Sequence, residues 1–143
     1  MINSFKNYLK EGKVKRKTQN PEEAKALFEK AKLRLEYSKD KHPDENTAQF
    51  SLEDAYEAIR EAAQSLMALK GYKPYSHEAT ISFIKDFYGA SFSEEEIKKF
   101  DRFRQLRNNS VYNAAPVSEE DAELCISFAV TFTHKVAKLL MNN

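Results

Sequence analysis

The chain has 143 residues, a length typical of one domain, and only three glycines and four prolines. So few turn-forming residues exclude a many-stranded β-sandwich and favour long helices. Cys125 is the only cysteine, which excludes an intramolecular disulfide and a multi-cysteine zinc site. The three histidines, His42, His77 and His134, form no paired metal-binding motif, so the sequence predicts no metal and no cofactor.

Basic residues are concentrated at the start of the chain. Residues 1–17 contain six lysines and arginines and one glutamate, whereas the whole chain has a net charge of only +1. Two interpretations follow: an arm that contacts nucleic acid or an acidic partner, or a solvated and partly disordered end. We therefore predict a basic arm over residues 1–19 and a helical domain over residues 20–143.

No part of the sequence predicts a membrane or secretory segment. No run approaches the roughly 18 apolar residues that cross a bilayer. Residues 1–17 also lack the apolar core of a secretory signal. The expected location is the cytoplasm, without membrane contact.

Helix-start signals, each followed by apolar residues at helical spacing, mark the first half of the domain. One helix is predicted from the cap Asn20 to about Lys39, where the segment 42–44 breaks it. A second is predicted to start at Ser51 and to stop at Gly71.

Three further helices are predicted in the second half. Ser76 caps a short helix ending at Gly89, Ser93 opens a longer one ending by Pro116, and Ser118 opens the last. Five helices joined by short loops predict an all-α fold, an antiparallel helical bundle.

The fourth predicted helix carries the most distinctive residues. Five cations fall within ten positions, at Lys98, Lys99, Arg102, Arg104 and Arg107. Arg104 and Arg107 continue an apolar stripe that runs to Val111, so at least one guanidinium should face inward. An arginine in such a place is either paired with a neighbouring helix or serves a ligand, and both interpretations stay open.

Three segments together resemble the HEPN domain, the higher eukaryote and prokaryote nucleotide-binding family. They are the alanine-rich stretch 63–71, the segment 76–79 and the segment from Leu106 to Tyr112. The resemblance covers about residues 20–140. It implies a helical bundle that usually dimerises, with the fourth-helix motif near the dimer cleft.

The resemblance also implies a choice between two functions. Many HEPN domains are metal-independent ribonucleases, often toxins paired with a minimal nucleotidyltransferase antitoxin, and others bind nucleotide or RNA without catalysis. The ribonuclease motif is arginine, commonly followed by asparagine, and then histidine after four to six intervening residues. Arg107 and Asn108 match its first half, but Tyr112 stands where the first possible histidine would. Tyrosine is a poor base at pH 7, although it can donate to phosphate or stack on a base.

We therefore expect a homodimer that binds nucleotide, RNA or a nucleotidyltransferase partner rather than performing standard RNA cleavage. The expected binding residues are Arg104, Arg107, Asn108, Asn109 and Tyr112. An RNA-cleaving toxin, with Arg107 and Tyr112 as candidate catalytic residues, is one alternative. A purely structural interaction module is another.

Three isolated residues are predicted to be structural. His77 follows a helix cap and is expected to orient the third helix. His134 is expected on a flank of the last helix or satisfied in the core. Cys125 lies on an apolar stripe and is expected to be an inert core thiol.

Overall fold

The protein is an all-α bundle with one small two-stranded sheet. The computed structural model describes residues 2–142. Its elements are α1 (Phe5–Lys10), β1 (Val14–Arg16), α2 (Pro21–Lys39), α3 (Ala48–Lys70), β2 (Tyr72–Pro74), α4 (His77–Phe87), α5 (Glu94–Asn113) and α6 (Glu119–Met141). The five helices predicted from the sequence correspond to α2–α6, and the predicted fold class is confirmed.

The bundle is built around α3, which packs against α2, α4, α5 and α6. The long helices alternate in direction along the chain. On facing helices, Phe103 of α5 meets Phe128 of α6, while Glu96 at the start of α5 meets Lys135 near the end of α6. α5 and α6 are therefore antiparallel, as predicted.

α6 closes the core. Ala129 and Val136 are fully buried, and the ring of Phe132 packs edge-on against Phe100 of α5 at 5.4 Å. Among residues 2–142, α6 is the one helix that is long and apolar enough to cross a membrane by length and composition. One face of this helix is buried in the bundle, whereas Leu124, Val130 and Met141 are exposed.

Helix caps explain most of the element boundaries. The side chains of Asn20, Ser76, Ser93 and Ser118 each accept a backbone N–H in the first turn of their helix. The predicted start of α3 at Ser51 is wrong, because the helix already begins at Ala48. The Asp44 carboxylate accepts the two backbone N–H groups that precede this start, at 2.8 and 2.9 Å, and so turns the chain into the helix earlier.

The N-terminal segment is part of the folded body. Phe5, Tyr8 and Val14 are buried, and the Phe5 ring packs against Tyr72 at 5.1 Å and Phe87 at 5.2 Å. β1 pairs antiparallel with β2, with Val14 opposite Pro74 and Arg16 opposite Tyr72. The expectation of a solvated, partly disordered end is therefore wrong for this segment, although most of its basic side chains are exposed. The division of the chain at residue 19 stays a prediction.

Candidate functional site

Arg107 lies on α5 with its guanidinium half-buried and without a carboxylate partner among the residues that the structure describes. Its Nη1 donates to the Oδ1 of Asn108 at 3.1 Å. The ring of Tyr112 lies 5.7 Å from the guanidinium carbon. Arg107 thus keeps most of its N–H donors available for an anion.

Arg104 lies one turn earlier and is already paired. Its side chain is 13% exposed, its Nε donates to Asp101 at 2.7 Å, and its Nη1 lies 3.8 Å from the carboxylate of Glu78 in α4. The expectation of an inward-facing guanidinium is confirmed for this residue. The sequence left open whether these arginines are paired with a neighbouring helix or serve a ligand. Arg104 is paired, whereas Arg107 has no carboxylate partner among the described residues.

α3 contributes an ion pair to the same region. Glu57 accepts from Arg60, one turn later on that helix, with the Oε2 of Glu57 3.1 Å from the Nη2 of Arg60. Burial alone would raise the pKa of Glu57, but hydrogen bonding and charge from Arg60, together with the charge of Arg107, lower it. Glu57 is therefore a carboxylate at neutral pH, and it neutralises Arg60 rather than Arg107.

His77 is the first residue of α4 and joins this group of side chains. Its Nδ1 lies 3.0 Å from the hydroxyl of Tyr56, and the two rings stack at 5.6 Å. Burial, followed by the positive charges of Arg60 and Arg107, lowers the pKa of His77 to about 4. We call Tyr56, Glu57, Arg60, His77, Glu78, Arg104 and Arg107 the Arg107 cluster.

The remaining residues predicted for the site are distributed around the end of α5. Asn108 is half-buried and Asn109 is exposed. Tyr112 is 72% exposed and Val111 is 43% exposed, so the predicted inward stripe does not extend to Val111. In the last turn of α5 Ser110 is buried, whereas Val111, Tyr112 and Asn113 are exposed.

Of the seven residues in the Arg107 cluster, the sequence predicted only Arg104 and Arg107 as site residues. His77 was expected to have a structural role only, but it lies with Tyr56 in the region of Arg107. The Glu57 and Arg60 pair has the helical spacing of an ion pair, and that was the available signal. Nothing local to the sequence places α3 and α4 beside α5, since that depends on packing.

The other chemical groups lie apart from this cluster. His134 is exposed, and Cys125 is buried with burial raising the pKa of its thiol, as expected for an inert core residue. Two grooves of about 580 and 600 Å³ separate α2 from α6 and share Phe28 and Lys32. The groove of about 600 Å³ is lined mainly by apolar residues, whereas the groove of about 580 Å³ also has Glu36, His134 and four lysines in its walls. Two grooves against α5 are smaller, at about 370 and 340 Å³. In the part of the chain described, no group of three or more histidine, cysteine or carboxylate side chains is placed to hold a metal.

Comparison with known proteins gives one family. The family model described as the HEPN domain matches residues 24–139, from the first turn of α2 to the last turn of α6, and contains all of the Arg107 cluster. The search of curated proteins gives no match.

Proposed function

Since the chain belongs to the HEPN domain family, we propose that the Arg107 cluster binds phosphate groups of RNA or of a nucleotide, without standard RNA cleavage. The observation that carries this proposal is the guanidinium of Arg107, half-buried and without a carboxylate partner among residues 2–142. Guanidinium groups bind phosphate through paired N–H donors. Asn108 and Tyr112 beside it supply neutral donors and an aromatic face on which a base can stack.

We expect no standard cleavage because the ribonuclease motif on α5 has tyrosine instead of histidine at position 112. A metal-independent ribonuclease needs a group that moves a proton to or from the 2′-hydroxyl at neutral pH. Position 112 holds a phenol instead of an imidazole, and its side chain is 72% exposed. Arg107 alone can stabilise charge on a phosphate, but it cannot transfer that proton.

The proposal includes a homodimer that covers the exposed end of α5. The resemblance to the family also implies a minimal nucleotidyltransferase, and such a partner would cover the same surface. Val111 and Tyr112 form that surface next to Arg107, so a partner there would border the phosphate site. Phe103, on the same helix, is buried against Phe128 and so belongs to the core, not to this surface.

The test is RNA binding by fluorescence anisotropy at low salt, comparing wild type with Arg107→Ala. Hydrogen bonds to charged groups contribute about 1.5–3 kcal/mol, so we expect Arg107→Ala to weaken binding about tenfold or more. Wild-type binding should also weaken steeply with added salt. The matched control is Arg102→Ala, which removes the same charge from an exposed position that is paired with Asp121.

Equal affinities for wild type and Arg107→Ala would overturn the proposal. The same samples should be incubated with RNA in the presence of a chelator and separated on a gel. We expect intact RNA. Cleavage that depends on Arg107 would instead support the alternative of a metal-independent ribonuclease.

A further inference from the structure

The ring of His77 is held in one orientation by Tyr56. The Tyr56 hydroxyl is buried, and Nδ1 of His77 is its one hydrogen-bond partner among the described residues. A buried hydroxyl proton requires an acceptor, so Tyr56 donates to Nδ1. The proton of the neutral ring is therefore assigned to Nε2, which has no hydrogen-bond partner within residues 2–142.

The face of α5 that carries Arg107 packs against the junction of α3 and α4, as the contacts of its neighbours on that face show. One turn before it, Arg104 contacts Glu78, the neighbour of His77 in α4. One turn after it, the hydroxyl of Ser110 donates to Glu53 of α3 at 3.2 Å. Residues three apart share a helix face, so Arg107 faces the same junction as His77.

The charges around His77 come from three elements. α3 supplies Arg60 and Glu57, α5 supplies Arg104 and Arg107, and the neighbour of His77 in α4 is Glu78. Together with burial, the arginines keep the imidazole neutral in the free protein. An anion placed against Arg107 would offset this positive field and favour a proton on His77.

We propose that the Nε2–H of His77 and the guanidinium of Arg107 hold one phosphodiester group between them, so that RNA binding takes up a proton and tightens as the pH falls. The proton goes to Nδ1, where the hydrogen bond with Tyr56 reverses: Nδ1–H donates and the hydroxyl oxygen accepts. This inference rests on the proposed function and adds a residue outside the arginine motif. Tyr56 acts as a positioning residue, because it fixes which ring nitrogen faces the ligand.

The pH dependence has a definite sign. In the free protein His77 is neutral above about pH 4. If bound RNA raises the pKa of His77, the complex holds one more proton than the free protein between pH 4 and that higher pKa. Binding therefore strengthens as the pH falls through this range. If bound RNA restores the ordinary pKa near 6.5, the affinity should rise about tenfold between pH 7.5 and 5.5. A phosphodiester keeps its single charge throughout this range, unlike a phosphomonoester, whose second pKa is about 6.

The test measures the affinity of a rhodamine-labelled oligouridylate at pH 7.5 and pH 5.5, because neither uracil nor this dye titrates in that range. The readout is the ratio of the two affinities. We expect a ratio of about ten for wild type and about one for His77→Gln, which keeps an N–H donor but does not titrate. His134→Gln, on the distant face of α6, is the matched control and should retain the wild-type ratio.

The outcomes separate this inference from the proposed function. A flat wild-type profile, or a wild-type ratio in His77→Gln, overturns the inference even if Arg107→Ala abolishes binding. Unchanged binding in Arg107→Ala, or no RNA binding by wild type, overturns both. Tyr56→Phe provides a second variant at the positioning residue, and we expect it to reduce the ratio while Arg107 continues to bind RNA.

Discussion

At the scale of single residues, Glu61 is a buried carboxylate that needs a counter-charge. It belongs to α3, its side chain is 3% exposed, and it accepts from the Nε of Arg34 in α2 at 2.8 Å. Lys30 lies farther away, at 3.5 Å, and is mostly exposed. Hydrogen bonding to Glu61 raises the pKa of Arg34 despite partial burial of the guanidinium. Arg34 is therefore the main counter-charge for a buried carboxylate, and the two join α2 to α3.

We predict that Arg34→Met lowers the free energy of unfolding by about 3 kcal/mol, because it leaves Glu61 buried with only the mostly exposed Lys30, at 3.5 Å. Urea unfolding measures the change. Lys39→Met is the control, since it breaks the exposed pair with Glu36 and should cost less than about 0.5 kcal/mol. A cost below about 1 kcal/mol for Arg34→Met would contradict this role. The double variant with Glu61→Leu should recover part of the loss.

His77 also makes the stability of the fold depend on pH. The pKa of His77 is about 4 in the folded protein and near 6.5 when unfolded, so the unfolded state takes up a proton first as the pH falls. The contribution is complete above pH 6.5 and is lost between pH 6.5 and 4. Because His77 is only partly buried, solvent screening reduces the effect. We predict that wild type loses about 1 kcal/mol more than His77→Gln between pH 7 and pH 5 in urea unfolding. Equal losses would show that the ring titrates normally.

At the scale of elements, the junction between α3 and the N-terminal segment depends on one glycine. Gly71 ends α3 with a φ of 89°, in the left-handed region that other residues avoid. Its carbonyl accepts from the N–H of Lys17 at 2.9 Å. A Cβ at this position would lie 2.7 Å from the carbonyl oxygen of Lys17. Gly71 therefore both terminates the helix and allows the N-terminal segment to approach it.

We predict that Gly71→Ala destabilises the protein far more than Gly12→Ala. Gly12 has a similar φ of 73° but open space around it, so alanine there costs only the backbone strain of about 1–2 kcal/mol. Gly71→Ala adds a clash with backbone that cannot move without separating β1 from β2. Thermal and urea unfolding of the two variants give the comparison. Similar costs at the two positions would mean that the contact with Lys17 is easily relaxed.

The helices could be predicted because their starting signals are local. Ser93 and Glu96 bond to each other's backbone as a capping box, within a single turn. The N-terminal segment could not be predicted in the same way. Phe5, Tyr8 and Val14 are separated by charged and polar residues, and their burial depends on partners more than fifty positions away.

In the candidate site, too, local features could be predicted from the sequence and packing-dependent features could not. The arginines of α5 stand out because several cations share one helix, and their spacing places Arg104 and Arg107 on one face. Which of the two is free could not be predicted, since it depends on Asp101 and Glu78 satisfying Arg104. The contribution of His77 depends on how α4 crosses α3, and no short motif encodes that.

At the scale of the whole molecule, the end of α5 is the surface that we propose as a dimer interface. Tyr112 and Val111 are exposed there, and Phe50, which is 58% exposed, lies one turn before the α3 residue that contacts Ser110. Exposed aromatic and aliphatic side chains next to an arginine are typical of interface centres. A second copy of the chain on this surface would enclose the Arg107 cluster.

We predict that the protein is a homodimer, with about twice the mass of one chain by light scattering at tens of micromolar. Val111→Glu should produce a monomer, because it places a charge at the centre of the proposed interface. Val130→Glu is the matched control: Val130 is 44% exposed on α6, almost the same as Val111, but lies beside the groove facing α2. A monomeric wild type, or equal effects of the two variants, would exclude this interface.

The pairing of β1 with β2 also means that the N-terminal segment cannot complete its fold until later parts of the chain have been synthesised. Val14 leaves the ribosome before α2 and α3, yet its partner Pro74 follows both of those helices. Phe5 waits longer still, until Phe87 of α4 has been made. During that interval the nascent N-terminus carries apolar side chains with nothing to cover them, interspersed with lysines that oppose aggregation. We expect these lysines to keep the segment soluble until α4, the last element that covers it, has been made.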